Sequence, residues 1–488
     1  MTEPTLYELS VPGRTGLDLP EPEVPDAELP ADLLREDNGL PELSQIDVVR
    51  HYLRLSQRNF GVDSGFYPLG SCTMKYNPKL NDRVARLPGF IATHPLQDES
   101  LVQGNLALMY RLQHWLAEIG GFAGVSLQPA AGAQGELTAL LMMRAYHQER
   151  GEAARTQVLI PDSAHGTNPA SASMAGLQVL QIPSNERGNV DTEALAAACD
   201  ETVAGIMLTN PNTLGLFEEQ IEEVTERVHA CGGLVYGDGA NMNALAGVVK
   251  PAELGVDLMH YNLHKTFSTP HGCGGPGSGP LGASEALREY LPGPIVDVVS
   301  TSADRAQDRY ELRKPLKSIG RMCTHLGNFA MLIRAYAYIR LHGAEGLRLN
   351  SMHAVLNANY LRVALRDLYR VPFDRLNMHE FVCEGRFEGS DVKAFDISKR
   401  LMDYGFHPPT NHFPLTVREA LMIEPTETES QQTLDAFVEA MCKIAEEAVR
   451  DPALVRAAPH TTPVRRLDEV RAARHPVLAE RPSEDGPR

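Results

Sequence analysis

Polar side chains follow four predicted strands at the points where those strands end. The strands are short apolar runs separated by helical segments: Gln157–Pro161, Val203–Thr209, Leu234–Tyr236 and Leu258–Asn262. The residues at or just after their ends include His165, Thr209 and Asn210, Asp238 and Ala240, and His264 and Lys265. The carboxyl ends of parallel strands share one edge of a sheet, and open α/β proteins bind ligands at that edge. We therefore predict that these side chains form one site.

The residue types in this set suit catalysis with pyridoxal phosphate. A lysine in a dry pocket forms a Schiff base with the cofactor aldehyde, and an aspartate keeps the pyridine nitrogen protonated, so that the ring accepts electrons from a carbanion. Phosphate is bound by the amides of a helix N-terminus. The glycine-rich turn Ala131–Gly135 comes directly before the predicted helix Glu136–Arg150 and can supply those amides.

Each of these residues also has a structural interpretation. Lys265 could be a surface lysine, although it follows an apolar strand and precedes Thr266–Pro270. Asp238 with Gly239, and Asn210 with Pro211, are common turn pairs. A lone histidine such as His165 is more often a core residue, but its position after a strand favours an active-site role.

Three other motif classes are disfavoured. Gly272–Gly277 matches the dinucleotide pattern G-x-G-x-x-G, but it does not link a strand to a helix, and Pro276 and Pro280 disfavour a helix start. We predict instead a loop that closes over the lysine. The chain has no Gly-Lys dipeptide for a P-loop, and its histidines lack the spacing of metal ligands, so no metal site is predicted.

Composition excludes several functional classes. The chain has 488 residues, with 45 Lys and Arg against 63 Asp and Glu, for a formal charge of −18, and 43% of its residues are hydrophobic. An acidic chain of this kind disfavours binding to nucleic acid or an anionic membrane. No apolar run approaches the roughly 20 residues that span a bilayer. Seven scattered cysteines predict neither disulfides nor a zinc site, which indicates a cytoplasmic protein.

The order of predicted elements indicates an α/β fold with a large, mostly parallel sheet and a smaller C-terminal α+β domain. We predict an N-terminal arm and helical segment over 1–100, a large cofactor-binding domain over 101–330, a small domain over 331–450 and a tail over 451–488. A helix is predicted after Ser44, with Ile46, Val49 and Leu53 on one face, and another over Glu218–Ala230. The polar arm and tail are predicted to wrap a partner.

Six long motifs carry a family resemblance: YPLGSCTMKYNP (67–78), DSAHGTNPASA (162–172), TNPNTLGLFE (209–218), DGANMNA (238–244), NLHKTFSTPHGCGGPGSGP (262–280) and MIEPTETES (422–430). With them the chain, over about residues 45–470, closely resembles the glycine dehydrogenase (decarboxylating) family, the P-protein of the glycine cleavage system. It looks like the cofactor-bearing second subunit of the split form.

The resemblance implies a fold-type I pyridoxal-phosphate enzyme, similar to aspartate aminotransferase. Lys265 would be the Schiff-base lysine, Asp238 the partner of the pyridine nitrogen and His165 the residue stacked on the ring. The other cofactor contacts implied are Thr209 or Asn210 at the ring hydroxyl, Ala133, Gln134 and His264 near the phosphate, and Ala240. Cys273 departs from the family, whose loop usually has an unbroken glycine run.

The implied reaction is decarboxylation of glycine with transfer of the aminomethyl group to the lipoyl arm of H-protein. The implied partners are subunit 1, in a heterotetramer with two copies of each subunit, and lipoylated H-protein. Ser71, Thr73 and Arg321 are open candidates for the substrate carboxylate. One rival is another fold-type I enzyme, an aminotransferase or aldolase; an aminotransferase would form pyridoxamine phosphate from an amino acid alone. The second alternative is a non-catalytic scaffold. The presence of Lys265, Asp238 and His165 argues against it, because a protein without catalytic activity has no reason to keep all three.

Overall fold

The computed structural model describes residues 3–25, 29–35, 38–271, 277–301 and 308–478. Most of the predicted loop Gly272–Gly277, including Cys273, lies outside the described residues. Contacts divide the chain into two units, one formed by residues 1–65 and 457–488 and the other by residues 66–456.

The α-helices, in chain order, are α1 (Gln45–Gln57), α2 (Lys79–Ala85), α3 (Pro88–Ile91), α4 (Gln103–Gly120), α5 (Gly132–Glu149), α6 (Thr167–Met174), α7 (Thr192–Ala198), α8 (Ile221–Ala230), α9 (Phe329–Leu365), α10 (Ala394–Asp403), α11 (Gln431–Arg450), α12 (Pro452–Ala457) and α13 (Glu469–Arg474). The strands are β1 (Gly124–Ser126), β2 (Gln157–Pro161), β3 (Gln178–Ile182), β4 (Val203–Thr209), β5 (Leu234–Asp238), β6 (Leu258–His260), β7 (Leu281–Ala283), β8 (Ile295–Ser300), β9 (Arg309–Arg313), β10 (Phe381–Glu384), β11 (Thr410–Asn411) and β12 (Ala420–Ile423).

A mostly parallel sheet forms the centre of the larger unit, as predicted. Its strand order is β1-β7-β6-β5-β4-β2-β3, and β7 alone of these runs antiparallel to its neighbours, β6 and β1. Residues of β4 enter two different cores: Ala204 and Met207 pack into one, and Ile206 and Leu208 into the other. Both faces of the sheet are therefore covered, which explains the continuous apolar runs in the sequence.

Two helices begin at residues other than those predicted. Helix α8 begins at Ile221 rather than at Glu218, because the Glu218 carboxylate accepts the backbone N–H groups of Val190 and Gln220 at 2.8 and 3.1 Å and so lies in the preceding loop. Helix α5 begins at Gly132, four residues before the predicted start, so the glycine-rich turn forms its first turn.

A smaller antiparallel sheet, in the order β10-β12-β11, packs with α10 and α11 around a second core. The long helix predicted after residue 330 is α9, which is interrupted at Gly343 (φ 63°, ψ −176°). Its first half contributes Leu332 and Tyr338 to the core of the large sheet, and its second half contributes Leu361 and Leu365 to that of the small sheet. This helix fixes the small sheet relative to the large one.

The predicted helix after Ser44 is α1, in the smaller unit, where the Ser44 hydroxyl accepts the N–H of Asp47 at 3.3 Å and caps the helix. Ile46, Val49 and Leu53 are 50%, 52% and 53% exposed. Among the described residues, we find no helix with the length and apolar character required to cross a bilayer.

Candidate active site

The ends of the adjacent strands β4 and β5 place Thr209 opposite Asp238, because the two residues are partners in the parallel register. Asp238 is buried, its Oδ1 accepts the N–H of Ala240 at 3.0 Å, and the same oxygen lies 3.6 Å from Nε2 of His260. The Thr209 hydroxyl is buried and has no hydrogen-bond partner among the described residues. The two strand ends thus present a carboxylate and an unsatisfied hydroxyl side by side.

His260, at the end of β6, lies next to the Asp238 carboxylate. Its Nε2 accepts a hydrogen bond from the Asn262 amide at 2.8 Å, and its Nδ1 lies 2.5 Å from the Tyr236 hydroxyl. Burial lowers the pKa of His260, with the Asp238 carboxylate opposing that shift. A neutral imidazole leaves the negative charge of Asp238 available to a cationic ring nitrogen.

Lys265 lies in a tight loop after β6. Its backbone N–H donates to the Asn262 carbonyl at 3.0 Å, and its carbonyl accepts the N–H of Ser268 at 3.2 Å, with Ser268 in the left-handed region (φ 53°). The side chain faces a cavity of about 440 Å³ lined by Gly70, Ser71, Cys72, His165, His264, Lys265, His271, Thr410 and Phe413. The structure therefore brings His165 and Lys265, from opposite sides of β5, to one cavity.

The histidines of this cavity are held neutral. Burial lowers the pKa of His264 to about 3, and His271 and Lys265 add to that shift. Burial and the positive charge of Lys265 lower the pKa of His271 to about 4. Burial likewise lowers the pKa of His165, while Asp238 opposes it. Lys265 thus faces uncharged imidazoles.

The first turn of α5 offers an anion site. Ala131 is extended (φ −157°), and the first main-chain bond of the helix runs from the Gly135 N–H to the Ala131 carbonyl at 3.0 Å. The N–H groups of Gly132, Ala133 and Gln134 therefore have no acceptor within the helix. A Cβ at Gly132 would lie 2.5 Å from Oδ1 of Asn262, so this close approach to the loop after β6 requires glycine.

Two predicted cofactor residues have their side chains engaged elsewhere. Oε1 of Gln134 accepts the N–H of Ala130 at 2.6 Å, and its Nε2 donates to the Met322 carbonyl at 2.8 Å. Oδ1 of Asn210 accepts the N–H of Glu218 at 3.0 Å. Gln134 thus offers its backbone N–H to a phosphate, and the Thr209 hydroxyl is a buried group without a hydrogen-bond partner among the described residues, whereas Oδ1 of Asn210 is already engaged.

These residues fit pyridoxal phosphate. The buried Thr209 hydroxyl, which has no partner in the described part of the chain, the buried Asp238 carboxylate and the amides at the start of α5 supply the groups for a ring hydroxyl, a protonated ring nitrogen and a phosphate. Lys265 offers a primary amine, the group that forms a Schiff base with an aldehyde.

A segment that we call the strap, residues 68–75, forms another wall of the cavity. Ser71 (φ 62°) and Thr73 (φ 48°) both have left-handed backbones. Their N–H groups donate to Oε2 of Glu380 at 2.7 Å and to Oε2 of Glu424 at 2.9 Å. The other open candidate, Arg321, is exposed, donates to the Thr324 carbonyl at 3.0 Å and is not among the described residues that line the cavity.

Glu380 and Glu424 form a carboxyl pair that is fully buried. Burial raises the pKa of Glu424 to about 7, and burial together with the charge of Glu424 raises that of Glu380. One oxygen of each has no partner in the described structure. His379 lies nearby, with its Nε2 3.9 Å from Oε1 of Glu424, and the three groups have the composition of a cation site. Because burial raises the pKa of both carboxyl groups, the pair retains a proton more readily than two exposed carboxylates would, although the positive charge of Lys265 opposes this shift.

Sequence reasoning missed both carboxyl groups. Glu424 lies within the motif MIEPTETES, but its position in the sequence does not indicate that it contacts residue 73. Glu380 lies in none of the motifs that were singled out. Their contacts join residues 309 and 351 positions apart, which no local pattern encodes.

Comparison with known families gives two matches within this chain. The model described as "Glycine dehydrogenase, C-terminal domain" matches residues 350–460, and the "Aminotransferase class-V" model matches residues 136–277. The second covers most of α5 together with β2, β4, β5 and β6, the elements that carry the strand-end residues.

Curated relatives match nearly the whole chain. A protein of Caldanaerobacter subterraneus subsp. tengcongensis named "Probable glycine dehydrogenase (decarboxylating) subunit 2" is 55% identical, covering 97% of this chain and 98% of its own. One of the same name from Thermococcus kodakarensis is 54% identical, covering 98% and 95%. Among solved structures, an inhibitor-bound glycine decarboxylase (P-protein) of the glycine cleavage system has a TM-score of 0.71 at 22% identity, covering 85% of this chain and 93% of its own. That likeness confirms the predicted fold.

Proposed function

Because the chain belongs to the glycine dehydrogenase (decarboxylating) subunit 2 family, we propose that it decarboxylates glycine with pyridoxal phosphate and passes the aminomethyl group to the lipoyl arm of H-protein. It would act in the cytoplasm, in a complex that contains two copies of this chain and two copies of subunit 1. The observation that carries the proposal is the meeting of His165 and Lys265 in one cavity, beside the buried Asp238. The family membership favours this activity over an aminotransferase, an aldolase or a scaffold.

In this proposal each residue has a defined task toward the cofactor. Lys265 holds it covalently, Asp238 pairs with the ring nitrogen, and the Thr209 hydroxyl bonds the ring hydroxyl. The backbone amides of Ala133 and Gln134 bind the phosphate. When bound, pyridoxal phosphate supplies the electron sink for the carbanion that remains after loss of carbon dioxide.

The cavity suits a substrate that must lose a carboxylate. Its imidazoles are neutral, as the lowered pKa values of His264 and His271 indicate, so they do not stabilise the negative charge that decarboxylation removes. The strap places Ser71 and Cys72 at the wall. Burial raises the pKa of the Cys72 thiol to about 11, so this group is also uncharged.

The decisive experiment is exchange of labelled bicarbonate into the carboxyl group of glycine, run with each component omitted in turn. We expect weak exchange from this chain alone, restoration on adding subunit 1, and a further increase on adding lipoylated H-protein. Full exchange without subunit 1 would contradict the proposed assembly, and no exchange under any combination would contradict the activity.

A further inference from the structure

Three side chains connect the candidate active site to the buried start of α5. Nδ1 of His165 lies 2.7 Å from the Thr167 hydroxyl, and this hydroxyl lies 2.7 Å from Oε1 of Glu136. Oε2 of Glu136 accepts the Ser171 hydroxyl at 2.9 Å. Glu136 is only 3% exposed, so its carboxyl group is shielded from solvent and bonded at both oxygens.

The number of protons in this chain of hydrogen bonds is limited. Thr167 has one hydroxyl proton and can give it to one neighbour only. If Glu136 is ionised, its oxygens only accept, so Thr167 donates to Glu136 and His165 must donate from Nδ1. If Glu136 is protonated on Oε1, it can donate to Thr167, which then donates to Nδ1, and the proton of His165 lies on Nε2.

A second contact shows that the protonated arrangement is accessible. The backbone N–H of Thr167 donates to Nδ1 of His165 at 3.3 Å, and this contact requires a lone pair on Nδ1. It therefore stabilises the tautomer with its proton on Nε2. The geometry thus accommodates both tautomers of His165.

The surroundings of Glu136 place its titration near neutral pH. Burial, together with the negative charge of Asp238, raises its pKa to about 7, while the hydrogen bonds from Thr167 and Ser171 and the positive charge of Lys265 oppose this shift. The other titratable groups facing this region are Tyr236 on β5, His260 on β6 and His165 itself. Burial lowers the pKa of both histidines, which favours their neutral forms in the range where Glu136 titrates.

We propose that Glu136 is a positioning residue that acts through Thr167 to set which nitrogen of His165 carries the proton. With Glu136 protonated, His165 presents Nε2–H as a donor; with Glu136 ionised, it presents a bare Nε2 as an acceptor. The relay lies wholly within this chain, and it rests on the proposed function only in that His165 faces the cofactor. A merely structural Glu136 would join α5 to α6 without affecting the imidazole.

The test is a two-bond ¹H–¹⁵N correlation spectrum of the full chain labelled with ¹⁵N-histidine and freed of cofactor, recorded from pH 6 to pH 8.5. A His165→Asn variant assigns the resonance. We expect wild-type His165 to change from the Nε2–H to the Nδ1–H tautomer over this range. A single tautomer throughout would overturn the proposal.

Variants separate the relay from simple packing. Glu136→Gln can donate to Thr167 at every pH, so His165 should stay in the Nε2–H form. Thr167→Val should abolish the pH dependence and Thr167→Ser should restore it, whereas Ser171→Ala, which removes only the bond to Oε2, should keep it. A switch that persists in Thr167→Val would contradict the relay. Circular dichroism of each variant confirms folding, and Glu136→Gln supplies the test if the valine variant fails to fold.

The outcome is distinguishable from failure of the proposed function. If the tautomer switches but the chain neither binds pyridoxal phosphate nor supports exchange, the relay holds and the activity is wrong. If the loaded enzyme exchanges bicarbonate with glycine but the tautomer is fixed, the activity holds and the relay is wrong.

Discussion

Glu380 accepts a hydrogen bond from the backbone N–H of Ser71 at 2.7 Å, although the two residues are 309 positions apart. The bond holds the strap against the small sheet, where Gly70 fits so closely that a Cβ would lie 2.2 Å from Cγ of Met422. The small sheet thus positions the strap, which forms one wall of the cavity and is distant from the small sheet in sequence.

Replacing Glu380 by alanine should therefore disturb both stability and turnover. The N–H of Ser71 would lose its buried acceptor, at a cost of about 1–3 kcal/mol in the free energy of unfolding. We expect glycine turnover to fall as the strap loses its position, while Glu380→Gln, which keeps an acceptor oxygen, should retain much of both. Urea unfolding and bicarbonate exchange measure these effects, with the exposed Glu439→Gln as the control. Equal behaviour of the alanine and glutamine variants would contradict this role.

The carboxyl pair should make stability depend on pH. The pKa of Glu424 rises from 4.5 to about 7 on folding, so between these values the folded state holds a proton that the unfolded state releases. The free energy of unfolding should therefore decrease as pH rises from 4.5 to 7, by at most about 1.4 kcal/mol per pH unit.

Glu424→Gln mimics the protonated group and lacks this titration. We expect the variant to gain stability relative to the wild type between pH 5 and pH 8 in chemical denaturation. A constant difference across this range would show that Glu424 does not titrate there.

The close approach at Gly132 predicts a specific effect on cofactor binding. In Gly132→Ala the new Cβ would meet Oδ1 of Asn262 at 2.5 Å and displace the first turn of α5. We expect the affinity for pyridoxal phosphate to fall at least about tenfold, which corresponds to about 1.4 kcal/mol. The matched control is Gly104→Ala in α4, where an added Cβ would meet no described atom within 4 Å, and this variant should bind normally. Spectrophotometric titration distinguishes the two variants.

Asp238→Asn should separate binding from catalysis. The amide keeps the shape of the side chain but removes the charge that holds a proton on the ring nitrogen. We expect the cofactor to bind while bicarbonate exchange falls by orders of magnitude. A near-normal rate with subunit 1 present would mean that another group protonates the ring. The exposed Asp367→Asn serves as the control.

The strand ends could be predicted from sequence because each candidate site residue follows a continuous apolar run. Lys265, Asp238 and His165 stand out in this way, and the register that pairs Thr209 with Asp238 follows from the parallel order of β4 and β5. The predicted start of α5 was wrong because glycines favour turns in sequence, whereas here Gly132 and Gly135 are needed where the helix approaches Asn262 and His260.

The contacts of the small sheet could not be predicted. Glu380 and Glu424 act through partners in the strap, and their burial depends on how β10 and β12 pack. The exposure of Arg321 was likewise unpredictable, because its sequence neighbours do not indicate which way the segment faces.

The most direct test of the proposed active site is the position at which pyridoxal phosphate attaches covalently. Borohydride reduction of the loaded protein, followed by peptide mapping, should recover the pyridoxyl group on Lys265, within Asn262–Pro270. Lys265→Ala should lose the label and Lys250→Ala, at a surface ion pair with Glu118, should keep it. Recovery of the label on Lys75, Lys250 or any other lysine would contradict the proposed active site.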